Sequence, residues 1–401
     1  SVDIAKDFYR ETAKQLADIR GQIENAYVKR QTILAAIDNT LVSNAIAPRM
    51  TRVLPRGNWM DESGEIVQPG VPDFLPPINI ADRRLTRLDL ANWLVQKDNP
   101  LTARVFVNRL WKLYFGHGIS ARLDDLGAQG EWPTHPELLD ALAVEFQESG
   151  WDIKHMIRLI VTSDAYKQSS RITKKMAEID PANRLYARQT SIRLEAETIR
   201  DNALAISGLL STKIGGATIK PYQPEGYWRN AQTFGGESLN YIPSPGENQY
   251  RRGLYTYWKR SFLHPSLLAF DAPTREECTA QRPVSNTPIQ ALVLLNDPTY
   301  VEAARALAET IIRIGGTTSE DRIQFAINRA LSRNATPAEI KILNHLVTRH
   351  TQSFATDTEA AVKLVSTGQA PVPNDLEPAE FAAWTPVART ILNLPEVITR
   401  F

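Results

Sequence analysis

The sequence predicts a mainly α-helical protein with several multi-helix lobes, a small β element and a long loop-rich aromatic region. Apolar residues recur at three- and four-residue steps over most of the chain, which is the spacing of one helix face. Helix-start signals, such as Thr336 with Glu339, precede several of these segments. Gly, Pro, Tyr and Trp are instead concentrated in residues 215–270, which indicates irregular structure there. With 401 residues the chain exceeds the usual size of one core, so two or three lobes are expected.

The composition excludes several classes of protein. Hydrophobic residues make up 43% of the chain and charged residues 23%, as in ordinary globular proteins. No apolar run approaches the roughly 18 residues that a membrane helix needs, so no membrane span is predicted. The 46 basic and 45 acidic residues are interspersed, so the chain presents no basic field for a nucleic acid. Nucleic acid is therefore not an expected partner.

The cysteine count and the start of the chain bear on cofactors. Cys278 is the only cysteine, which excludes an internal disulfide and the C-x-x-C-H attachment of c-type haem. No cofactor is therefore predicted in this chain, and haem c is expected only on a partner or on a missing N-terminal domain. Because the chain begins at Ser1 without a Met or a signal peptide, we expect a processed or excised piece.

Residues 1–40 are predicted to form one long helix. Ile4, Phe8 and Ile19 belong to an apolar series that runs at helical spacing among charged residues. A helical hairpin that turns near Asn25 is the alternative. A self-associating coiled coil is less favoured because the heptads are imperfect. Such a helix requires a partner surface.

Residues 41–81 are predicted to contain a small β element followed by a Pro-rich connector. The segments TLVSNAI and MTRVLPRG alternate in polarity, as short strands do. The following segment, VQPGVPDFLPPINI, contains repeated prolines, which exclude a regular helix and favour an extended strap.

Residues 82–315 are predicted to form a helical domain with a loop-rich insert at residues 211–285. Thr134 and Glu137 predict a capping box, and Asp180 before a proline predicts a second helix start. The segment RLEAETIRDNALAISGLL has apolar residues on one side and charges on the other, which predicts a half-buried helix.

Three further segments complete the predicted elements. LYTYWKR alternates in a way that suggests a short strand. Thr287 and Gln290 predict the start of a helix, and the run IQALVLLNDPTYVEAARALAETIIRI is apolar enough on one face to be core. Residues 316–401 are predicted to form a C-terminal helical segment.

A first group of polar residues lies within nineteen positions and includes His117, Asp124, Asp125, Glu131 and His135. Imidazoles and carboxylates suit zinc or manganese, so these side chains are minority candidates for a metal site. The favoured interpretation is structural: His117 lies in a Gly-flanked turn, one of the aspartates caps a turn, and His135 begins a helix. No metal is therefore expected.

A second group lies in the connector FDAPTREECTAQRPVSNTPIQAL and holds the catalytic candidates Asp271, Arg275, Glu276, Cys278 and Arg282, with Glu277 beside them. The arginines suit a carboxylate or sulfate, and a cysteine beside arginines is a candidate nucleophile or redox thiol. The favoured interpretation is again structural, because no histidine lies near in sequence and reactive cysteines usually need a base.

Aromatic residues form a third group, which is a candidate surface for carbohydrate or for a protein partner. Ring faces offer contact area and neighbouring arginines offer directional bonds. A satellite core beneath long loops is an equally favoured alternative. The candidate ligand-binding residues are Tyr222, Tyr227, Trp228, Arg251, Arg252, Tyr255, Tyr257 and Trp258, and the same cluster includes Tyr241 and Tyr250.

The common catalytic signatures are absent from the sequence. It contains no G-x-G-x-x-G, P-loop, G-x-S-x-G or H-E-x-x-H motif. Glu195 and Glu197 are predicted to lie on one helix and not to form a facing carboxylate pair, because residues i and i+2 point to different sides. Whether the chain is an enzyme stays open at this point.

Several blocks of the chain closely resemble one family. They are NPLTARVFVNRLWKLYFGHGI, GEWPTHPELLDALAVEFQESGWDIKHMIRLIVTSDAYKQSS, RLEAETIRDNALAISGLL, YRRGLYTYWKR and FDAPTREECTAQRPVSNTPIQALVLLNDP. The family is the planctomycete PSD-type C-terminal domain of unknown function, and the resemblance covers about Asp82 to Gly315. It implies that residues 1–40 are the tail of a preceding domain. Members are typically secreted proteins that also carry cytochrome-c-like domains.

The resemblance implies an extracytoplasmic location, in the periplasm or cell envelope, and a cytochrome-c-like domain or protein as partner. The expected function is a docking or assembly body for that redox partner, with polysaccharide as a further expected ligand. One alternative is a glycan-active enzyme that uses the aromatic loops to bind sugar. Another is a structural component of the cell envelope. The resemblance carries no established catalytic residues.

Overall fold

The computed structural model describes residues 2–37, 40–224, 226–227, 241–259 and 262–400. These residues are mainly helical, with two small two-stranded sheets, so the predicted fold class is confirmed. Two compact units make up the chain, Ser1–Gln68 and Pro69–Phe401. Over the described residues, no helix has the length and apolar character needed to span a bilayer.

The first unit contains two helices and one small sheet. Helix α1 spans Val2–Thr12 and α2 spans Ala17–Ala36, with a short 3-10 turn between them. The break lies at Ala13, whose backbone is extended, and Arg20 donates hydrogen bonds to the carbonyl oxygens of Arg10 and Ala13 there. The prediction of one unbroken helix is therefore wrong, and so is the alternative turn near Asn25, which lies inside α2.

The small β element of the first unit is an antiparallel pair. Strand β1 spans Thr51–Arg52 and β2 spans Ile66–Val67. Arg52 reinforces the pair because its guanidinium donates to the carbonyl oxygen of Gly64. The second predicted strand segment, MTRVLPRG, thus contains β1, whereas the first, TLVSNAI, contains no strand among its described residues.

The second unit begins with five helices, of which the second, third and fourth build a first hydrophobic core. Trp111 stacks on Phe115 with ring centroids 4.1 Å apart, and Tyr186 meets both rings edge-on. Leu142 and Met156 close this core from two further helices. The elements are α3 (Arg87–Leu94), α4 (Thr102–Phe115), α5 (Pro136–Glu148), α6 (Ile153–Thr162) and α7 (Lys174–Ile179).

Two predicted helix starts in this region are wrong. Thr134 does not cap α5, because its hydroxyl instead donates to the carbonyl oxygen of Ile119 and the helix begins at Pro136. Asp180 follows α7 rather than starting a helix. Its carboxylate accepts hydrogen bonds from the backbone N–H groups of Arg184 and Leu185 and so closes a turn.

A second hydrophobic core holds the remaining helices around α11. Ala303, Ala304, Leu307 and Ala308 in this helix are completely buried, and their small size allows the neighbouring helices to approach closely. The elements are β3 (Ile192–Arg193), α8 (Ala196–Ser207), α9 (Pro265–Ala269), α10 (Pro288–Asn296), α11 (Pro298–Ile314), α12 (Ser319–Leu331), α13 (Pro337–Thr356), α14 (Thr358–Val365), α15 (Pro378–Leu392) and β4 (Thr399–Arg400).

The predicted elements of this core are largely confirmed. The long apolar run is core, although it divides into α10 and α11 at Asp297, whose side chain caps the second helix. Helix α8 ends at Gly208, which has a φ of 83°. Thr336 and Glu339 form the predicted capping box of α13. Thr287 precedes α10 as predicted, but its side chain makes no cap hydrogen bond.

The predicted strand in LYTYWKR is wrong. Residues Gly253–Tyr255 form a 3-10 turn, and Thr256 makes only an isolated bridge to Ile219. The turn is held because the Gly253 N–H donates to the carboxylate of Asp201 at 2.6 Å. A side chain at Gly253 would lie 2.8 Å from a backbone oxygen of Glu197, so only glycine allows this approach.

The strands β3 and β4 bring the two cores together. They pair antiparallel, with Ile192 opposite Arg400 and Arg193 opposite Thr399. Helices α12, α13 and α15 share the second core with α8 and α11, so this core continues across residue 315. Strand β4 lies beside the end of α4, because Arg400 donates to the carbonyl oxygens of Leu113 and Tyr114 there. A cavity opens at this point.

Candidate functional site

The candidate metal ligands do not converge. Asp125 accepts a hydrogen bond from the Gly127 N–H, and Asp124 is exposed. His135 lies 3.0 Å from the Thr134 hydroxyl. Within the ranges that the structure describes, no three His, Cys, Asp or Glu side chains are placed to hold a metal ion. His117 and Glu131 line two different cavities, and Glu131 pairs with Arg184 at 2.9 Å.

Asp271 holds the connector onto the second core. Its carboxylate accepts from the Arg193 guanidinium at 2.7 Å, from the Ser285 N–H at 2.9 Å and from the Ser285 hydroxyl at 2.8 Å. Burial opposes ionisation, but these bonds hold the pKa of Asp271 below its usual range. Gln290 of α10 donates to the carbonyl oxygen of Ser285. Asp271 is therefore committed to a charged clamp between β3 and the start of α10.

Arg282 gathers two carboxylates. Its guanidinium lies 2.7 Å from a Glu197 oxygen and 2.8 Å from a Glu195 oxygen. The expectation that these glutamates do not face one another is wrong, because Glu195 is the N-cap of α8 and has an extended ψ of 155°. The i, i+2 rule applies only inside a helix, so Glu195 is free to turn toward the same partner as Glu197.

The other candidates in the connector lie on its outer surface. The Arg275 guanidinium stacks over the Trp258 ring at 3.7 Å, a cation–π contact that holds the loop down. The Trp258 indole N–H donates to the carbonyl oxygen of Thr274. Glu276, Glu277 and Cys278 are exposed.

The tyrosines of the loop-rich region attach the loops to α11 through a buried carboxylate. Glu302 is only 1% exposed, and its oxygen accepts from the Tyr250 hydroxyl at 2.8 Å and from the Gln369 N–H at 2.6 Å. The Gln369 N–H also donates to the Tyr222 hydroxyl at 2.9 Å. Burial and the Glu302 charge both raise the pKa of Tyr222 above its usual range. These hydroxyls serve internal hydrogen bonds.

Buried arginines hold the remaining loops. Arg200 of α8 donates to the carbonyl oxygens of Gln249 and Arg251 at 2.6 and 2.7 Å. Arg251 is 2% exposed, donates to the carbonyl oxygens of Gly215 and Ala217, and stacks over the Tyr255 ring at 4.0 Å. Arg251 thus spans the base of this region.

The other aromatic candidates are half-buried. The Tyr227 ring packs against Phe262 with centroids 4.5 Å apart. The Lys220 ammonium lies 5.2 Å from the Tyr257 ring centroid. Arg252 is half-buried near the charge of Asp201. Trp228 lies outside the described residues, and the Tyr241 hydroxyl donates to the Pro221 carbonyl. Sugar binding by this cluster stays a prediction.

A cavity of about 590 Å³, here called the interlobe cavity, lies between the two hydrophobic cores. The end of α4, strand β3, the start of α8, the connector and strand β4 form its walls. It joins members of two predicted groups that are far apart in sequence. The ionisable side chains that line it are Lys112, His117, Arg193, Glu195, Arg282 and Arg400.

The charges of the interlobe cavity are unevenly distributed. Arg400 donates to the carbonyl oxygens of Leu113 and Tyr114, the last turn of α4, at 3.1 and 2.8 Å. Over the described residues, no carboxylate lies within ion-pair distance of Arg400 or Lys112. Burial, with the charges of Arg184 and Lys112, lowers the pKa of His117. The α4 side is thus cationic, and the glutamates lie on the α8 side.

A separate surface, here called the α2 apolar face, belongs to the first unit. It consists of Ile19, Ile23, Tyr27, Leu34 and Ile37, which lie within about 80° of one another around α2 and its C-cap; Val28, about 180° from Ile19, is also exposed. Their exposed fractions range from 43% to 63%. No residue of α2, which the structure describes throughout, is buried.

Sequence reasoning missed the cationic half of the interlobe cavity. Lys112 and Arg400 are single basic residues without a local motif, and Arg400 lies 287 residues from the carbonyl oxygen of Leu113 that it binds. The one local signal is that Lys112 precedes His117 by little more than one helical turn.

Comparison with known proteins identifies a family but no relative. No curated protein and no solved structure matches the chain significantly. A family model described as PSD1, a protein of unknown function (DUF1553), matches residues 86–347, from just before α3 to the middle of α13. This range includes all five blocks on which the resemblance rests. The chain therefore belongs to the PSD1 family of proteins of unknown function.

Proposed function

We propose that this chain is an extracytoplasmic docking module that binds a redox protein with a cytochrome-c-like domain through the α2 apolar face. The observation that carries this proposal is the exposure of that face. Exposed apolar patches of this kind mark protein interaction sites, because burial recovers about 25 cal/mol per Å² of apolar area. At about 1.5 Å per residue, a 20-residue helix presents an edge of about 30 Å to a partner.

The choice of partner rests on the company that the PSD-type domain keeps. Similar planctomycete proteins are typically secreted and carry cytochrome-c-like domains. A chain whose only cysteine is Cys278 needs such a domain from elsewhere to take part in electron transfer. We place the assembly in polysaccharide breakdown on the same grounds.

The charged candidates of the connector are held in ion pairs, which favours a structural role for them over a catalytic one. Asp271 is bonded to Arg193 and Ser285, and Arg282 is bonded to Glu195 and Glu197. Side chains committed to such clamps are positioned to hold a loop, since a change in their protonation would break the connection.

The test is capture of a haem protein from the extracytoplasmic fraction of the native organism. The immobilised chain is compared with an Ile23→Asp, Tyr27→Asp double variant and with Asn25→Asp as control. Asn25 lies about 200° around the helix from Ile23, so its substitution adds one carboxylate on the opposite side. Covalently attached haem is stained after denaturing electrophoresis, and circular dichroism checks helix content.

We expect the wild type and the Asn25→Asp control to retain one c-type haem protein in a stoichiometric amount. The double variant should retain at least about tenfold less, because two buried charges oppose the interface. Absence of any haem protein from the wild-type eluate refutes the partner. Equal capture by the double variant refutes the surface.

A further inference from the structure

We propose that the interlobe cavity is a binding site for a small organic anion that carries a carboxylate or sulfate head group on an apolar body. The inference does not depend on the docking function, which concerns the first unit. The cavity volume of about 590 Å³ lies within the usual range of about 300–1,000 Å³ for small-molecule sites.

The head-group position follows from the charges on the α4 side. Arg400 donates through Nη2 to two backbone carbonyl oxygens at the end of α4. Among the described residues, no acceptor lies within hydrogen-bond distance of the Lys112 ammonium. The side chains of Lys112 and Arg400 both line the cavity. Two cations that have no carboxylate partner in the described part of the chain, and that line the same opening, favour an oxyanion between them.

The opposite wall is already neutralised and acts as a fixed frame. Arg193 is paired with Asp271, and Arg282 is paired with Glu195 and Glu197. These pairs lie at 2.7–2.8 Å and hold the strand β3 and the connector in place. A carboxylate or sulfate approaching this wall meets the Glu195 charge, so the head group is directed toward α4.

The remaining lining is apolar and sets the rest of the ligand. Leu113, Ile192, Leu194, Phe270 and Val284 contribute aliphatic or aromatic surface to the same cavity. Val284 is 71% exposed, which places it at the solvent side. An apolar body would gain from leaving water for this surface, whereas an inorganic ion would not use it.

His117 provides a local reporter of occupancy. Its imidazole lines the cavity, and burial with the charges of Arg184 and Lys112 lowers its pKa in the free protein. An anion bound beside it would stabilise the protonated ring and raise this pKa. Binding elsewhere on the surface would leave the His117 titration unchanged.

The experiment measures binding of hexanoate and hexyl sulfate by calorimetry at low ionic strength, and the His117 titration by NMR with and without ligand. Inorganic sulfate and 1-hexanol separate the contributions of head group and body. The variants are Lys112→Gln, which removes one cation, and Val284→Asp, which places a carboxylate at the solvent side. Lys175→Gln, at an exposed lysine of α7, is the matched control.

We expect one molecule of hexanoate or hexyl sulfate to bind per chain and to raise the His117 pKa; the tighter of the two identifies the head group. Lys112→Gln should weaken binding by about tenfold, as loss of one charge-assisted hydrogen bond predicts, and Val284→Asp by more. Lys175→Gln should bind as the wild type does.

The proposal is overturned if neither organic anion binds, or if both cavity variants bind as tightly as the control. It is equally overturned if inorganic sulfate or 1-hexanol binds as tightly as hexyl sulfate. Binding that leaves the His117 titration unmoved also refutes the location.

Discussion

Replacement of Glu302 by alanine should be among the most damaging changes in the second unit. The carboxylate is 1% exposed and accepts from the Tyr250 hydroxyl at 2.8 Å and the backbone N–H groups of Gln369 and Ala370 at 2.6 and 2.7 Å. Arg305, also 1% exposed, lies 3.7 Å away. One side chain therefore connects α11, the tyrosine loop and the turn after α14.

The size of the effect follows from what the substitution leaves behind. Arg305 would stay buried without its counter-charge, the Tyr250 hydroxyl and the Ala370 N–H would lose the Glu302 acceptor, and the Gln369 N–H would keep only the Tyr222 hydroxyl. Breaking a buried ion pair by removing one partner lowers the free energy of unfolding by about 3–5 kcal/mol. The control is Glu309→Ala on the same helix, whose partner Arg313 is partly exposed and also pairs elsewhere. Its expected effect is about 0–1 kcal/mol.

The assay is urea unfolding followed by circular dichroism, with the free energy of unfolding compared among wild type, Glu302→Ala, Glu302→Gln and Glu309→Ala. Glu302→Gln keeps one oxygen acceptor but removes the charge, so its loss should lie between the other two. If Glu302→Ala loses no more stability than Glu309→Ala, the buried carboxylate does not hold the loops and the reasoning is refuted.

Two further predictions concern the same unit. Gly368 has a φ of 94°, and a Cβ there would lie 2.1 Å from the Glu302 carboxyl carbon, so Gly368→Ala should lower the free energy of unfolding by more than about 1 kcal/mol. Gly70→Ala, with open space around it, should have no such effect in the same urea experiment. Hydrogen bonds from the Arg333 side chain and the Thr336 backbone lower the pKa of Glu339 to about 2 from 4.5. The lowered pKa of Glu339 contributes to the free energy of unfolding in full above pH 4.5, and this contribution disappears as the pH falls toward about 2. Glu339→Gln should therefore reduce the change of the free energy of unfolding with pH across that interval. An unchanged slope would contradict this assignment.

The helices were predictable where local chemistry and burial agree. The capping box of Thr336 and the glycine stop at Gly208 act within a few residues, so the sequence contains all of their determinants. Thr134 failed as a cap because its hydroxyl is oriented as a donor toward the distant Ile119 carbonyl and the N-cap position falls one residue later, at His135. The predicted strand at LYTYWKR failed for a similar reason, since the Asp201 carboxylate holds Gly253 in a turn. Tertiary partners override local pattern at both places.

The candidate site was less predictable, because its components act only in combination. Asp271 and Arg282 were recognised as chemically capable, but their partners Arg193 and Glu197 lie 78 and 85 residues away. His117 was grouped with nearby carboxylates, whereas the structure places it beside Lys112 and cations from other elements. Grouping by proximity in the sequence therefore found residues of suitable chemistry but assigned them the wrong neighbours in space.

The pairing of β3 with β4 explains why the interlobe cavity has a cationic side. That pairing places Arg400 opposite Ile192, and from there its guanidinium reaches the last carbonyl oxygens of α4. A positive group at this position stabilises the negative end of the helix, so Arg400 has a structural reason to be there without any ligand. Lys112 also lies in the last turn of α4, but among the described residues its ammonium makes no hydrogen bond to those carbonyl oxygens. The two cations are thus separable: loss of Arg400 would perturb the junction of the two cores, whereas loss of Lys112 isolates the charge available to an anion, which makes it the more informative variant.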